Sequence, residues 1–92
     1  MALFFEWDSG KSRTNKEKHR ITFEEASSVF GDEDSLTIDD VAHSKYEKRE
    51  IIIGKSKNNQ VLVVVYTVRG KNIRIISARK ANQKEKTQYK NL

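Results

Sequence analysis

The chain has 92 residues, no cysteine, no proline and a net charge of +5. That length supports one domain with a small core, and no apolar run reaches the roughly 18 residues of a membrane span. Without cysteine there is no disulfide framework, thiolate nucleophile or zinc–thiolate cluster, which fits a reducing cytoplasm.

Leu3 to Trp7 predicts a short apolar strand, and MALFFEW is too short and too acidic at its end for a signal peptide. Asp8 can cap a helix reaching about Lys18, with Lys11, Asn15, Lys18 and His19 on one face. No large apolar residue lies between Asp8 and Arg20, so this helix gains little from burial, or its basic stripe serves a ligand. Thr22 and Glu25 predict a capping box before a short helix whose apolar side is Phe23, Ala26 and Phe30. After a turn at Gly31–Ser35, Leu36–Val41 is a candidate edge strand. Glu50–Gly54, Val61–Val68 and Ile73–Arg79 then read as an antiparallel meander with turns at Asn58–Asn59 and Gly70–Lys71. A polar helix over Asn82–Tyr89 closes the chain. The order β-α-α-β-β-β-α indicates an α+β sandwich.

Charge is distributed unevenly along these elements. Residues 21–44 hold seven acids and no Lys or Arg (−7), whereas residues 69–92 hold eight Lys or Arg and one Glu (+7). A basic C-terminal third with a basic N-terminal segment favours a polyanion such as nucleic acid or an acidic protein partner. Mutual neutralisation of the two blocks is the plainer alternative.

Two GKS triplets, Gly10–Ser12 and Gly54–Ser56, lack the preceding glycine of a phosphate loop, since Phe5 and Arg49 stand there. Asp32, Glu33, Asp34, Asp39 and Asp40 lack calcium-loop spacing. No metal site and no cofactor are expected. His19 and His43 are the only histidines; an imidazole titrates near neutrality, so His19 between Lys18 and Arg20 is a credible acid or base. A solvated surface histidine is the plainer reading. The two turns imply a register in which Val68 faces Arg49 and Leu62 faces Arg79. Arg49 and Arg79 would then share one face, roughly 20 Å apart, and Arg69, Arg74, Thr67 and Glu50 the other, with Arg74 paired to Glu50.

FEWD at Phe5–Asp8, then Lys11, Asn15, Lys18–His19 and ITFEEA, followed by Glu47, Arg49, IIIG, VLVVVYTVRG, IRIISARKA, Glu85 and Tyr89, resemble the BrnT family. These are toxins of bacterial type II toxin–antitoxin pairs, and the likeness covers nearly the whole chain. Two positions depart from it: Arg20 stands where the family usually has Gly, and Asn82 where it favours Thr or Ser.

The resemblance implies a RelE-like fold and a metal-independent endoribonuclease that blocks translation in the cytoplasm. It also implies neutralisation by a BrnA-type antitoxin, two toxins with two antitoxins, and contact with operator DNA only through that complex. In the chemistry it implies, the RNA 2′-hydroxyl attacks its neighbouring phosphate. Arg49 and Arg79 would contact phosphate, Lys18 would support them, and His19 or Glu47 would transfer the proton. Lys11, Arg69, Arg74 and Glu85 are candidates for contact with RNA or antitoxin. A non-catalytic module that binds nucleic acid or antitoxin is the competing reading.

Overall fold

The computed structural model describes residues 3–43 and 45–90; Met1, Ala2, Ser44, Asn91 and Leu92 lie outside that description. The strands are β1 (Phe4–Glu6), β2 (Leu36–Asp39), β3 (Arg49–Lys55), β4 (Val61–Arg69) and β5 (Asn72–Lys80). The helices are α1 (Ser9–His19), α2 (Phe23–Ser28) and α3 (Gln83–Lys90), with 3-10 turns at Val29–Gly31 and Val41–His43. One sheet contains all five strands in the order β1-β5-β4-β3-β2, with β1 parallel to β5 and the other pairs antiparallel. The chain order therefore has one strand more than β-α-α-β-β-β-α, because Leu36–Asp39 pairs with Ile53–Glu50.

One face of the sheet is covered by α2 and its flanks. Ile21, Phe23, Ala26 and Val29 pack on Ile52, Leu62, Val64, Tyr66, Ile75 and Ala78. Burial of a side chain such as Phe23 or Leu62 contributes about 1.5–3 kcal/mol each. Phe30 joins Phe5 and Tyr66 at centroid distances of 5.3 and 4.9 Å, and Trp7 meets Phe23 edge-on at 6.0 Å. Thr22 caps α2 by accepting from the Glu25 N–H at 3.1 Å. The Glu25 carboxylate does not complete a capping box. It is buried and accepts from Ser56 Oγ at 2.7 Å and Gln60 Nε2 at 3.0 Å, which ties α2 to the β3–β4 turn.

The other face is covered in part by α3, with Ala81, Ile53 and Val63 forming a small cluster flanked by Leu36, Ile51, Val61 and Tyr89. Here Asn82 and Glu85 do form a reciprocal box: each backbone N–H is taken by the other's side-chain oxygen at 2.9 Å.

Two single-residue shifts change the register expected from the sequence. The β3–β4 loop has three residues, with Ser56 N–H bonded to the Gln60 carbonyl and Asn59 at φ 62°. Arg49 consequently pairs with Thr67, and Glu50 with Tyr66. In the second hairpin, Arg69 pairs with Asn72 and Tyr66 with Ile75 as expected, but Val65 pairs with Ser77 and Val63 with Arg79. Ile76 is the extra residue of a β-bulge. Since a shift of one residue reverses the pleat, Arg49 and Arg79 both move to the face that carries Arg69 and Arg74. The expected division into two arginine surfaces is overturned: all four lie on the face opposite α2. Glu50 moves the other way, so the expected Arg74–Glu50 pair does not form. Arg74 instead bonds Glu6 on β1.

Candidate active site

The arginine face begins with a row across the sheet: Arg49 on β3, Thr67 on β4, Arg74 on β5 and Glu6 on β1. Arg49 and Arg74 flank Thr67, two strand spacings or about 10 Å apart at the backbone. Thr67 is buried, and its hydroxyl donates to the Lys48 carbonyl at 2.7 Å, which pins the chain entering β3. Val65 and Ser77 form the next row, and Val63 and Arg79 the row after that, where α3 arrives.

Every arginine of this face already has a carboxylate of the same chain. Glu47 lies 3.7 Å from Arg49 Nε and 3.6 Å from Arg69 Nη2, so it sits between the two cations. Glu6 accepts from Arg74 Nη1 at 2.8 Å and from Asn72 Nδ2 at 3.1 Å. Those two donors, Asn72 foremost, hold the Glu6 carboxyl below its ordinary range. Glu85 takes both terminal nitrogens of Arg79 at 2.7 Å, which lowers the Glu85 carboxyl and raises the guanidinium.

The helix α1 runs along the free edge of β5. Strand β1 covers β5 only over Asn72–Arg74. Beyond it, the Asn15 side chain takes the place of a neighbouring strand: its Oδ1 accepts from the Ala78 N–H at 3.0 Å, and its Nδ2 donates to the Ala78 carbonyl at 2.8 Å. A third bond runs from Nδ2 to the Ile21 carbonyl at 3.1 Å. Asp8 caps the helix by accepting from the Lys11 N–H at 2.8 Å, as its sequence position predicts. An open groove of about 470 Å³ lies between α1 and the bulge, lined by Lys11, Thr14, Lys18, His19, Ile76 and Ser77 among others. Among the described residues, the side chains of Lys11, Lys18 and His19 make no ion pair. Cations without a carboxylate of their own therefore stand on α1 at the edge of the arginine face, in addition to the one charge left where Arg49 and Arg69 share Glu47. A smaller hollow of about 210 Å³, lined by His43, Lys45, Tyr46, Glu47 and Arg49, lies at the β3 side.

The structure thus brings Lys11, Lys18 and His19 together in one groove, and Glu47, Arg49 and Arg69 in one cluster, with Arg74 between them on the same face. Arg79 and Glu85 form a separate pair under α3. The sequence places Thr67 on the face of Arg69 and Arg74, as the structure does, but gives no part in it to Glu6 or Ser77. The parallel pairing of β1 brings Glu6 here and the bulge at Ile76 turns Ser77 to this face, and neither leaves a mark in hydropathy.

Residues 7–85 match the family model described as "Ribonuclease toxin, BrnT, of type II toxin-antitoxin system". No curated protein matches the chain. The fold is similar to that in the 1.1 Å crystal structure of the Brucella abortus ribonuclease toxin BrnT. The two share 22% sequence identity with a TM-score of 0.68, over 89% of this chain and 100% of that one. With its sheet, helices and matched span in agreement, this chain belongs to the BrnT family of ribonuclease toxins of type II toxin–antitoxin systems.

Proposed function

We propose that this chain is a metal-independent endoribonuclease whose RelE-like sheet holds an RNA strand on its arginine face. Its action in the cytoplasm is to cut RNA and arrest translation. In the proposed step the 2′-oxygen attacks the adjacent phosphorus while the bond to the 5′-oxygen breaks. The products are a 2′,3′-cyclic phosphate and a 5′-hydroxyl that has gained a proton. Arg49 and Arg74 stabilise the phosphate charge, Lys18 adds to it from the edge, and His19 or Glu47 moves the proton. Arg79 stands apart in this scheme, because Glu85 occupies both of its terminal nitrogens. Its role is to hold α3. Among the described residues no three His, Asp or Glu side chains gather to hold a metal ion, and the scheme uses none.

The observation that carries this reading is the gathering of Arg49, Arg69 and Arg74 on one face with the unpaired Lys18–His19 pair at its edge. A BrnA-type antitoxin would neutralise the toxin by covering that face, with two of each chain in a complex that reaches operator DNA through the antitoxin. The experiment is digestion of RNA by the purified chain in EDTA, with analysis of the new 3′ ends. Cyclic phosphate ends support the proposal, and intact RNA overturns it. The internal pairing of each sheet arginine favours one rival, a binding module without catalysis. That rival predicts RNA retention with no new ends.

A further inference from the structure

Helix α1 poses a packing problem. It has 11 residues, none of them a large apolar one, and its single buried residue is Asn15, at 6% exposure. A helix with so little apolar contact has no hydrophobic stripe to set its rotation about its own axis or its slide along the sheet. The three hydrogen bonds of Asn15 supply both settings. Two of them, to the N–H and carbonyl of Ala78, are directional and grip one residue of β5 as a paired strand would. The third, to the Ile21 carbonyl, fixes the chain just beyond the helix end. On a helix, Lys11, Lys18 and His19 stand four residues before, three after and four after Asn15, so all three share its face. They line the groove beside Ile76 and Ser77. A rotation of α1 would carry them away from it together.

We infer that Asn15 is the positioning residue of the site, its buried amide holding Lys18 and His19 over the β5 bulge by acting as a one-residue strand on Ala78. It touches no substrate. Its effect on catalysis rests on the proposed ribonuclease function, but its effect on α1 does not, and the test separates the two.

The test compares the full chain with Asn15→Asp, which keeps the acceptor for the Ala78 N–H but cannot donate to either carbonyl, and Asn15→Ser, which keeps a donor and an acceptor. Hydrogen–deuterium exchange is read residue by residue, and RNA cleavage is measured in parallel. The expected result for Asn15→Asp is loss of protection in α1 while β4 amides such as Val64 keep theirs. Its kcat should fall roughly 100-fold, in line with a misplaced catalytic group, with a much smaller change in KM. Asn15→Ser should recover part of both. Unchanged α1 protection in Asn15→Asp overturns the inference, and so does equal loss of protection in α1 and β4, or failure of both variants to fold. If the unaltered chain cleaves no RNA, the proposed function fails while the exchange comparison still decides the role of Asn15.

Discussion

Arg79 and Glu85 face each other as two parallel forks, each terminal nitrogen of one 2.7 Å from a carboxylate oxygen of the other. Glu85 also caps α3 through the Asn82 N–H, so the same carboxylate joins the helix start to the sheet. Removing either partner should loosen α3. Arg79→Ala or Glu85→Gln is expected to cost roughly 1–2 kcal/mol in urea unfolding, a range reduced for the partial exposure of both side chains. Catalysis should survive Arg79→Ala far better than Arg49→Ala, and cleavage rates of the two variants check this.

The same pair sets an acid limit. Because Arg79 lowers the Glu85 carboxyl below 4.5, its contribution is fully present above that value. It is lost as pH falls through the lowered value. Glu6 follows the same sign through Asn72 and Arg74. Stability measured against pH should therefore decline below about 4.5, and Glu85→Gln should flatten part of that decline.

At the far end of α3 the sign reverses. The Tyr89 hydroxyl donates to Asp32 Oδ2 at 2.6 Å, and that bond pushes the phenol up from 10.0 to about 12. The neutral phenol is the form the fold holds, so this contribution is present below pH 10.0 and is lost as pH rises towards 12. Ultraviolet titration should show two tyrosines ionising late, Tyr66 because burial pushes its phenol up and Tyr89 because of Asp32, and Asp32→Asn should bring only the Tyr89 step down.

Arg20 ends α1 at φ 61°, in the left-handed region, with its N–H bonded to the Lys16 carbonyl. This is the position where a glycine carries no steric cost. Arg20→Gly is expected to raise stability by about 1 kcal/mol, read as an increase in melting temperature.

Gly54 sets a limit of another kind. A Cβ there would lie 2.8 Å from Val29 Cγ1 and 3.1 Å from Ser35 Cβ. Val29 is fully buried and cannot move aside freely. Gly54→Ala should destabilise by roughly 1–3 kcal/mol, measured by thermal melting.

Much of this architecture is legible in the sequence. Asp8 and Thr22 announce their helices, the meander strands lie where their apolar runs place them, and Lys11, Asn15, Lys18 and His19 share the face that the helical period gives them. The arginine face is not legible, because it depends on parity. One extra residue in the loop ending at Asn59 and one at Ile76 each reverse a pleat, and neither has a distinctive side chain. Glu25 shows the same limit at a smaller scale. Its spacing from Thr22 is that of a capping box, but Ser56 and Gln60, brought near by the β3–β4 turn, take its carboxylate.

The internal carboxylates change what binding a polyanion means on this sheet. Arg49, Arg69, Arg74 and Arg79 face Glu47, Glu6 and Glu85, and with Glu47 shared by Arg49 and Arg69 only one of the four charges is left uncompensated. A phosphate that engages Arg74 shares it with Glu6, which holds one terminal nitrogen, so the contact neutralises less phosphate charge than a free arginine would. Affinity should therefore fall less steeply with salt than the number of cations in the footprint suggests, and most of the slope should come from Lys11 and Lys18 on α1.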